Sequence, residues 1–216
     1  MADITRFTEL LLANQSLDDL LNQASEDEMS FDEEPWKRLA RAAECLRSDE
    51  KDRALALLQE IVNIPNLETR ILLWSWTALR NLGVNPKPRE ARAIMGVVIE
   101  VPMGNGNDIL AAYADGTARY VNHTGKIIVW DLSDTLIRDI ISKLLESCKY
   151  VYTETPTRLG DRSANDSVKV TVLTLGGNRC TEIPMQSLGS NPINEVLTIG
   201  AELMEQLIKR TEARNL

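Results

Sequence analysis

The feature that most constrains this chain is a change in the spacing of its apolar residues near Pro86 and Pro88. Before these prolines, apolar residues recur every three or four positions, as they do along one side of a helix. From Ile94 onward they recur every second position or form short β-branched runs, as they do in strands. The chain is therefore predicted to be an α+β protein whose helical part comes first.

The charge changes at the same place. Residues 1–90 carry 11 basic and 17 acidic side chains, a net charge of −6, whereas residues 91–216 carry 13 and 15, a net charge of −2. Prolines favour the end of a helix and an extended connection. We therefore predict an acidic helical domain over 1–85, a linker over 86–91 and an antiparallel α+β domain over 92–216.

The helical domain contains a repeated pattern. Four residues spaced along one predicted helix match four residues that lie 38 positions later: Trp36, Leu39, Ala40 and Ala43 match Trp74, Thr77, Ala78 and Asn81. With a further helix between them, this arrangement resembles a tetratricopeptide unit, whose period is about 34 residues. The resemblance implies a stack of helical hairpins. An ordinary bundle of short antiparallel helices fits the same spacing.

Two hairpins and two helices are predicted in the second domain. Asp115-Gly116 favours a two-residue turn between strands over 109–114 and 117–122, and a second hairpin turns at 176–178. Because hairpins rather than crossovers join the strands, the sheet should be antiparallel, with two helices packed on one face.

The first of these two helices should begin at Ser133 or Asp134, either of which can cap it. Its apolar stripe runs from Leu136 to Cys148. Tyr150 to Thr153 is rich in aromatic and β-branched residues, so we consider it a candidate strand. The last helix should begin near Asn194.

Polar residues of the kinds that bind ligands or take part in catalysis are concentrated between Gly104 and Asp131. Among them, Tyr113, Arg119 and His123 are the candidate ligand-binding residues. A lone His acts as a general base only when neighbours orient a nucleophile or water, and the sequence shows no such pair. Gly104-Asn105-Gly106 lacks the Lys-Ser/Thr of a phosphate-binding loop and predicts a turn. We predict no catalytic residue, no cofactor and no metal site.

The candidate partner-binding residues lie in an acidic stretch that ends beside a tryptophan: Asp32, Glu33, Glu34 and Trp36. Such a stretch repels phosphates and attracts basic surfaces, so we expect a protein partner with a basic surface, no nucleic acid and no membrane. A solvated acidic loop is the simpler alternative. The oligomeric state is left open.

These observations favour a non-catalytic interaction or adaptor protein. The alternative is a small-molecule binding or sensory module that uses residues 104–131, and a further alternative is an enzyme that depends on His123. The three cysteines are an odd number at wide spacings, which is typical of reduced thiols. With no run of about 18 apolar residues and no basic start followed by a cleavage site, we expect a cytoplasmic protein.

Overall fold

A computed structural model describes residues 2–26, 33–131, 133–154 and 166–214. The helices are α1 (Ala2–Leu12), α2 (Leu17–Glu26), α3 (Trp36–Arg47), α4 (Lys51–Val62), α5 (Thr69–Asn81), α6 (Thr135–Glu154) and α7 (Ile193–Glu212), with short 3-10 helices at Glu90–Arg92 and Met185–Ser190. The strands are β1 (Ile94–Pro102), β2 (Asn107–Tyr113), β3 (Ala118–Val121), β4 (Ile127–Trp130), β5 (Ser167–Thr174) and β6 (Arg179–Pro184).

The chain divides into two compact units. One comprises Ala2–Ala93 with Leu175–Gly177, and the other comprises Ile94–Thr174 with Asn178–Leu216. Part of the predicted linker over 86–91 forms the start of the 3-10 helix at Glu90–Arg92. The division into domains over 1–85 and 92–216 with a linker over 86–91 stays a prediction.

The helical unit is built from short amphipathic helices that pack in chain order. α3 packs against α4, and α4 packs against α5. The face of α3 that is buried includes Leu39, Ala42 and Ala43, all fully inaccessible, and the two alanines allow close approach of the neighbouring helix. Ser16 begins α2: its Oγ accepts a hydrogen bond from the N–H of Asp19 at 3.1 Å, which satisfies a free amide of the first turn.

The second unit contains an antiparallel sheet of six strands in the order β4-β3-β2-β1-β5-β6, counted over the residues that the structure describes. β1 joins the two halves of the sheet, because Val98 lies opposite Ala111 of β2 on one side and opposite Thr171 of β5 on the other. The predicted α+β class, with helices first and an antiparallel sheet after them, is confirmed.

One face of this sheet carries α6 and α7. Alternating residues of the central strands, such as Val97, Ile99 and Leu110, form a single buried cluster with apolar residues of the two helices. Gly200 of α7 lies at the closest approach, where a Cβ would be 2.8 Å from Cδ1 of Ile99. A larger residue there would require Ile99 to move.

α6 is longer than the sequence predicted, and residues 150–153 are helical rather than a strand. The apolar stripe explains the extension, because Val151 falls three residues after Cys148 on the same side and is 3% exposed. Leu136, which we placed in the stripe, is instead 43% exposed. The buried stripe begins at Ile137.

Asp134 fixes the start of α6, as the sequence predicted for this position. Its Oδ1 accepts a hydrogen bond from the N–H of Ile137 at 3.1 Å, and its Oδ2 accepts one from Nε of Arg210 in α7 at 2.8 Å. The hydrogen bond from Arg210 and then that from Ile137 lower the pKa of the Asp134 carboxyl. One side chain therefore caps α6 and connects it to α7.

The turn between β2 and β3 differs from the predicted two-residue turn. Tyr113 pairs with Thr117, which leaves a three-residue loop whose last residue, Gly116, has φ of +87°. Asp115 stays at negative φ and caps the loop by accepting hydrogen bonds from the N–H and Oγ1 of Thr117. The register is shifted by one residue, so Ala111 lies opposite Arg119.

Candidate functional site

The shifted register decides where two of the predicted ligand-binding residues lie. Because Ala111 lies opposite Arg119, the side chains of Tyr113 and Arg119 point to the same face of the sheet, opposite to α6 and α7. Tyr113 is fully buried and Arg119 is 5% exposed. The two residues therefore share a face but present little surface to solvent.

Contacts within the sheet occupy the guanidinium of Arg119. Its Nη1 donates to the carbonyl of Ala118 at 2.8 Å and to that of Trp130 at 3.3 Å, and it lies 2.7 Å from Oδ1 of Asp131. Asp131 directly follows β4. Arg119 thus ties the last residues of β4 to β3, which is a structural role.

His123 lies elsewhere, beyond the end of β3 and about 13 Å along the strand direction from Arg119. Its ring Nδ1 is 2.9 Å from Oδ1 of Asp108, and its backbone N–H donates to the same oxygen at 2.8 Å. The hydroxyl of Tyr120 donates to the other oxygen of Asp108 at 2.9 Å. The structure therefore groups His123 with Asp108 and Tyr120 instead of with Tyr113 and Arg119.

The ionisation of this Asp108 cluster, meaning Asp108, Tyr120 and His123, follows from its burial and hydrogen bonds. Burial alone would raise the pKa of Asp108, but the hydrogen bonds from His123 and Tyr120 outweigh it and hold the pKa below its ordinary value. Burial, and then the Asp108 carboxylate, raise the pKa of Tyr120 to about 12. At neutral pH Asp108 is therefore a carboxylate, and Tyr120 keeps the proton that it donates to it.

An imidazole held in this way has defined chemistry. Donation from Nδ1 to a carboxylate fixes the ring orientation and leaves Nε2 as the acceptor, and the His123 side chain is 38% exposed. Nε2 could therefore accept a proton or a hydrogen bond from a ligand. Among the described residues no hydroxyl or thiol is hydrogen-bonded to His123, and no three His, Cys, Asp or Glu residues form a metal-binding group.

A groove with room for a ligand lies between α6 and α7. It is open to solvent, encloses about 690 Å³, and is lined by residues that include Lys143, Glu146, Tyr150, Glu195 and Ile199. Tyr113, Arg119 and His123 do not line it. Ligand binding by these three residues stays a prediction.

The predicted partner-binding residues lie at the start of α3, apart from Asp32, which is outside the described residues. Glu33 and Glu34 are exposed, and Oε1 of Glu34 is 3.3 Å from Nη2 of Arg38 one turn later. Trp36 is half-buried, and its ring packs against that of Trp74 with centroids 5.9 Å apart. Two exposed carboxylates therefore precede a tryptophan whose ring packs against Trp74.

Sequence reasoning missed two features of the sheet. Asp108 was within the polar stretch but was not identified as the partner of His123, because both residues lie just outside the strands predicted over 109–114 and 117–122. The second feature is β4, where Ile127 and Val129 are 51% and 56% exposed. Four successive apolar residues do not show which side chains are exposed, and the sequence does not show that β4 is the edge strand of the described sheet.

Among the described residues, no helix has both the length and the apolar character needed to cross a membrane. No protein-family model, curated protein or solved structure matches this chain.

Proposed function

We propose that this protein is a non-catalytic interaction protein, and that the start of α3 contacts a partner protein with a basic surface. The observation that supports the proposal best is the pairing of exposed carboxylates with a partly exposed tryptophan: Glu33 and Glu34 adjoin Trp36. Tryptophan is enriched among residues that dominate binding energy, and flanking charges steer a partner and select its sign.

Electrostatics supports the expected sign of the partner. Residues 1–90 have a net charge of −6, and six of their acidic residues lie between 26 and 34. A cluster of this kind attracts a basic surface over about one Debye length, roughly 8 Å at physiological salt. Association should therefore slow as salt is raised.

The packing of Trp36 against Trp74 supports its role as an anchor. Its ring packs against Trp74 at an interplanar angle of 54°, and the guanidinium of Arg70 lies 5.9 Å from the centre of the Trp74 ring. Because these contacts restrict the side chain before binding, little conformational entropy is lost when a partner covers its free part.

The proposal is tested by a charge-neutralised variant, Asp32→Asn with Glu33→Gln and Glu34→Gln. The matched control, Asp139→Asn with Glu202→Gln and Glu212→Gln, removes the same charge from exposed helical positions of the second unit. Proteins captured from a lysate of the source organism are quantified at low and high salt, and the Kd of each specific partner is then measured.

We expect the first variant to lose partner binding at low salt by about tenfold or more, and the control to bind as the wild type does. Both should keep the wild-type unfolding temperature. Equal binding by the two variants would mean that the acidic stretch is only a solvated loop.

A second candidate function is small-molecule binding at the Asp108 cluster, which the oriented imidazole of His123 favours. His123 is the one His of the chain, so the imidazole C–H signals in a ¹H–¹³C spectrum report on it alone. Titration with a library of small alcohols, phenols and amides, which can donate a hydrogen bond to Nε2, should shift these signals in the wild type and not in Asp108→Asn. If none shifts them, this candidate is wrong.

A further inference from the structure

Strand β4 has a free hydrogen-bonding edge. Asn122 donates to the carbonyl of Lys126, and in an antiparallel pair such bonded positions alternate. Ile128 and Trp130 therefore direct their backbone groups toward β3, while Ile127 and Val129 direct theirs away from the sheet. Because β4 is the last strand on this side of the described sheet, those groups face outward.

The side chains at these two positions are also exposed and apolar. Ile127 is 51% exposed and Val129 is 56% exposed, and both lie on the face opposite to α6 and α7. Natural edge strands are usually protected by charges, prolines or bulges against pairing with another chain. Within β4 itself no charge, proline or bulge is present, since its sequence is Ile-Ile-Val-Trp and its register with β3 is regular. Its length of four residues is the one feature that limits pairing at this edge.

This edge is complementary to itself. The two outward-facing residues are placed symmetrically about Ile128, so an antiparallel pairing of two copies puts Ile127 of each copy opposite Val129 of the other. Both pairs are bonded positions, which gives four backbone hydrogen bonds. The exposed side chains of the two copies then cover each other on one face.

Like-charge repulsion favours the antiparallel orientation. Lys126 directly precedes β4. Parallel pairing would place Lys126 of one copy beside Lys126 of the other, whereas antiparallel pairing keeps them apart. The Asp131 carboxylate that follows β4 is already paired with Arg119 of the same chain.

We infer that the partner of β4 is a second copy of this chain, and that two copies form a two-fold symmetric dimer with one continuous sheet. This surface differs from the start of α3, so the inference does not depend on the proposed function. The dimer closes, because each end of its sheet is then a β6 strand, whose outward-facing residues include Glu182 and Pro184. Proline has no N–H to donate.

The dimer should be weak. One short strand and two pairs of aliphatic side chains bury far less than the roughly 1,200–2,000 Å² of a stable interface. We expect a Kd on the order of 10⁻⁴ M, because so small an interface leaves little free energy after the cost of association is met. Association should therefore depend strongly on protein concentration.

Sedimentation velocity of the full chain from about 5 to about 500 µM brackets this Kd. For the wild type we expect the weight-average mass to rise from monomer toward dimer. Val129→Lys should abolish the rise, because it places a charge on each side of the two-fold axis, and Ile127→Lys should do the same. The matched control Gln186→Lys adds the same charge at an exposed position beyond β6 and should leave the rise unchanged.

Three results would overturn the inference. One is a wild type that stays monomeric over the whole range. Another is a dimer that persists in both lysine variants while circular dichroism shows them to be folded. A loss of dimer in Gln186→Lys as well would show that net charge, and not the β4 edge, controls association.

Discussion

The two edges of the sheet have different chemistry although they belong to one structure. At β4 the outward-facing residues are Ile127 and Val129, which are apolar and each carry an N–H and a carbonyl. At β6, Met185 donates to the carbonyl of Asp166, so the alternation directs Glu182 and Pro184 outward. The β4 edge has an N–H and a carbonyl at each outward-facing position, whereas the β6 edge carries a charged side chain and a proline.

This difference shows that an apolar strand sequence predicts burial inside a sheet but not at its edge. β5 is also rich in valine, but it lies between β1 and β6 and its residues Val168, Val170 and Val172 are buried. β4 lies outermost, so half of its apolar residues face solvent or a partner. The protected β6 edge explains how pairing at β4 can stop at two copies.

The largest expected effect removes both edges at once by unfolding the sheet unit. Ile141→Asp puts a carboxylate at a position that is 2% exposed between α6 and the sheet, and burying an unpaired charge should cost about 3 kcal/mol or more. Leu136→Asp is the matched control on the same helix, where the residue is 43% exposed and an acid suits the first turn.

Chemical denaturation measures both variants. Ile141→Asp should be largely unfolded or insoluble, and the control should stay within about 0.5 kcal/mol of the wild type. A stable, soluble Ile141→Asp protein would contradict the burial of this stripe.

A smaller effect should follow from removing the protection of β6. Glu182→Val with Pro184→Val gives the second edge apolar side chains and restores a donor. A sheet with two open edges no longer closes at two copies, so we expect light scattering to detect chains larger than dimers at about 500 µM. The same substitutions combined with Val129→Lys should not exceed a dimer, and continued growth in that triple variant would be against the proposed pairing.

The smallest expected effect concerns the Asp108 cluster, which lies in the half of the sheet that contains β4. Asp108→Asn removes the carboxylate charge that accepts hydrogen bonds from Tyr120 and His123. It should therefore lower the free energy of unfolding by about 1–2 kcal/mol at pH 7. Because the folded pKa of Asp108 is lowered, its contribution is present above the ordinary Asp pKa and is lost as pH falls through the folded pKa.

Denaturation curves between pH 7 and pH 2 test this expectation. The difference between wild type and Asp108→Asn should shrink below about pH 4. Asp139→Asn, at an exposed position of α6, should show no such difference. A gap that stays constant down to pH 2 would mean that the carboxylate charge contributes nothing.

Much of the fold could be predicted because periodicity reports burial directly. The stripe of α6, the cap at Asp134 and the antiparallel sheet all follow from local patterns. The hairpin register could not be predicted, because Asp115-Gly116 fits both a two-residue turn and the end of a three-residue loop. The choice between them decides which residues face Arg119.

The candidate site was harder to predict because its residues come from separate segments. Asp108 and His123 are 15 residues apart in sequence and meet only when β2 and β3 pair. The open edge at β4 depends on strand order, and strand order depends on the long-range pairing of β1 with β5. Neither property is local, so no window of the sequence contains it.

The most direct test of the contrast between the two edges is amide hydrogen exchange measured residue by residue at low and high protein concentration. At low concentration the amides of Ile127 and Val129 should exchange fast and that of Ile128 slowly, since only Ile128 donates to β3. At high concentration the amides of Ile127 and Val129 should become protected, while that of Glu182 in β6 should not change. Fast exchange of Ile127 and Val129 at both concentrations, or protection that appears at Glu182 instead, would contradict the account.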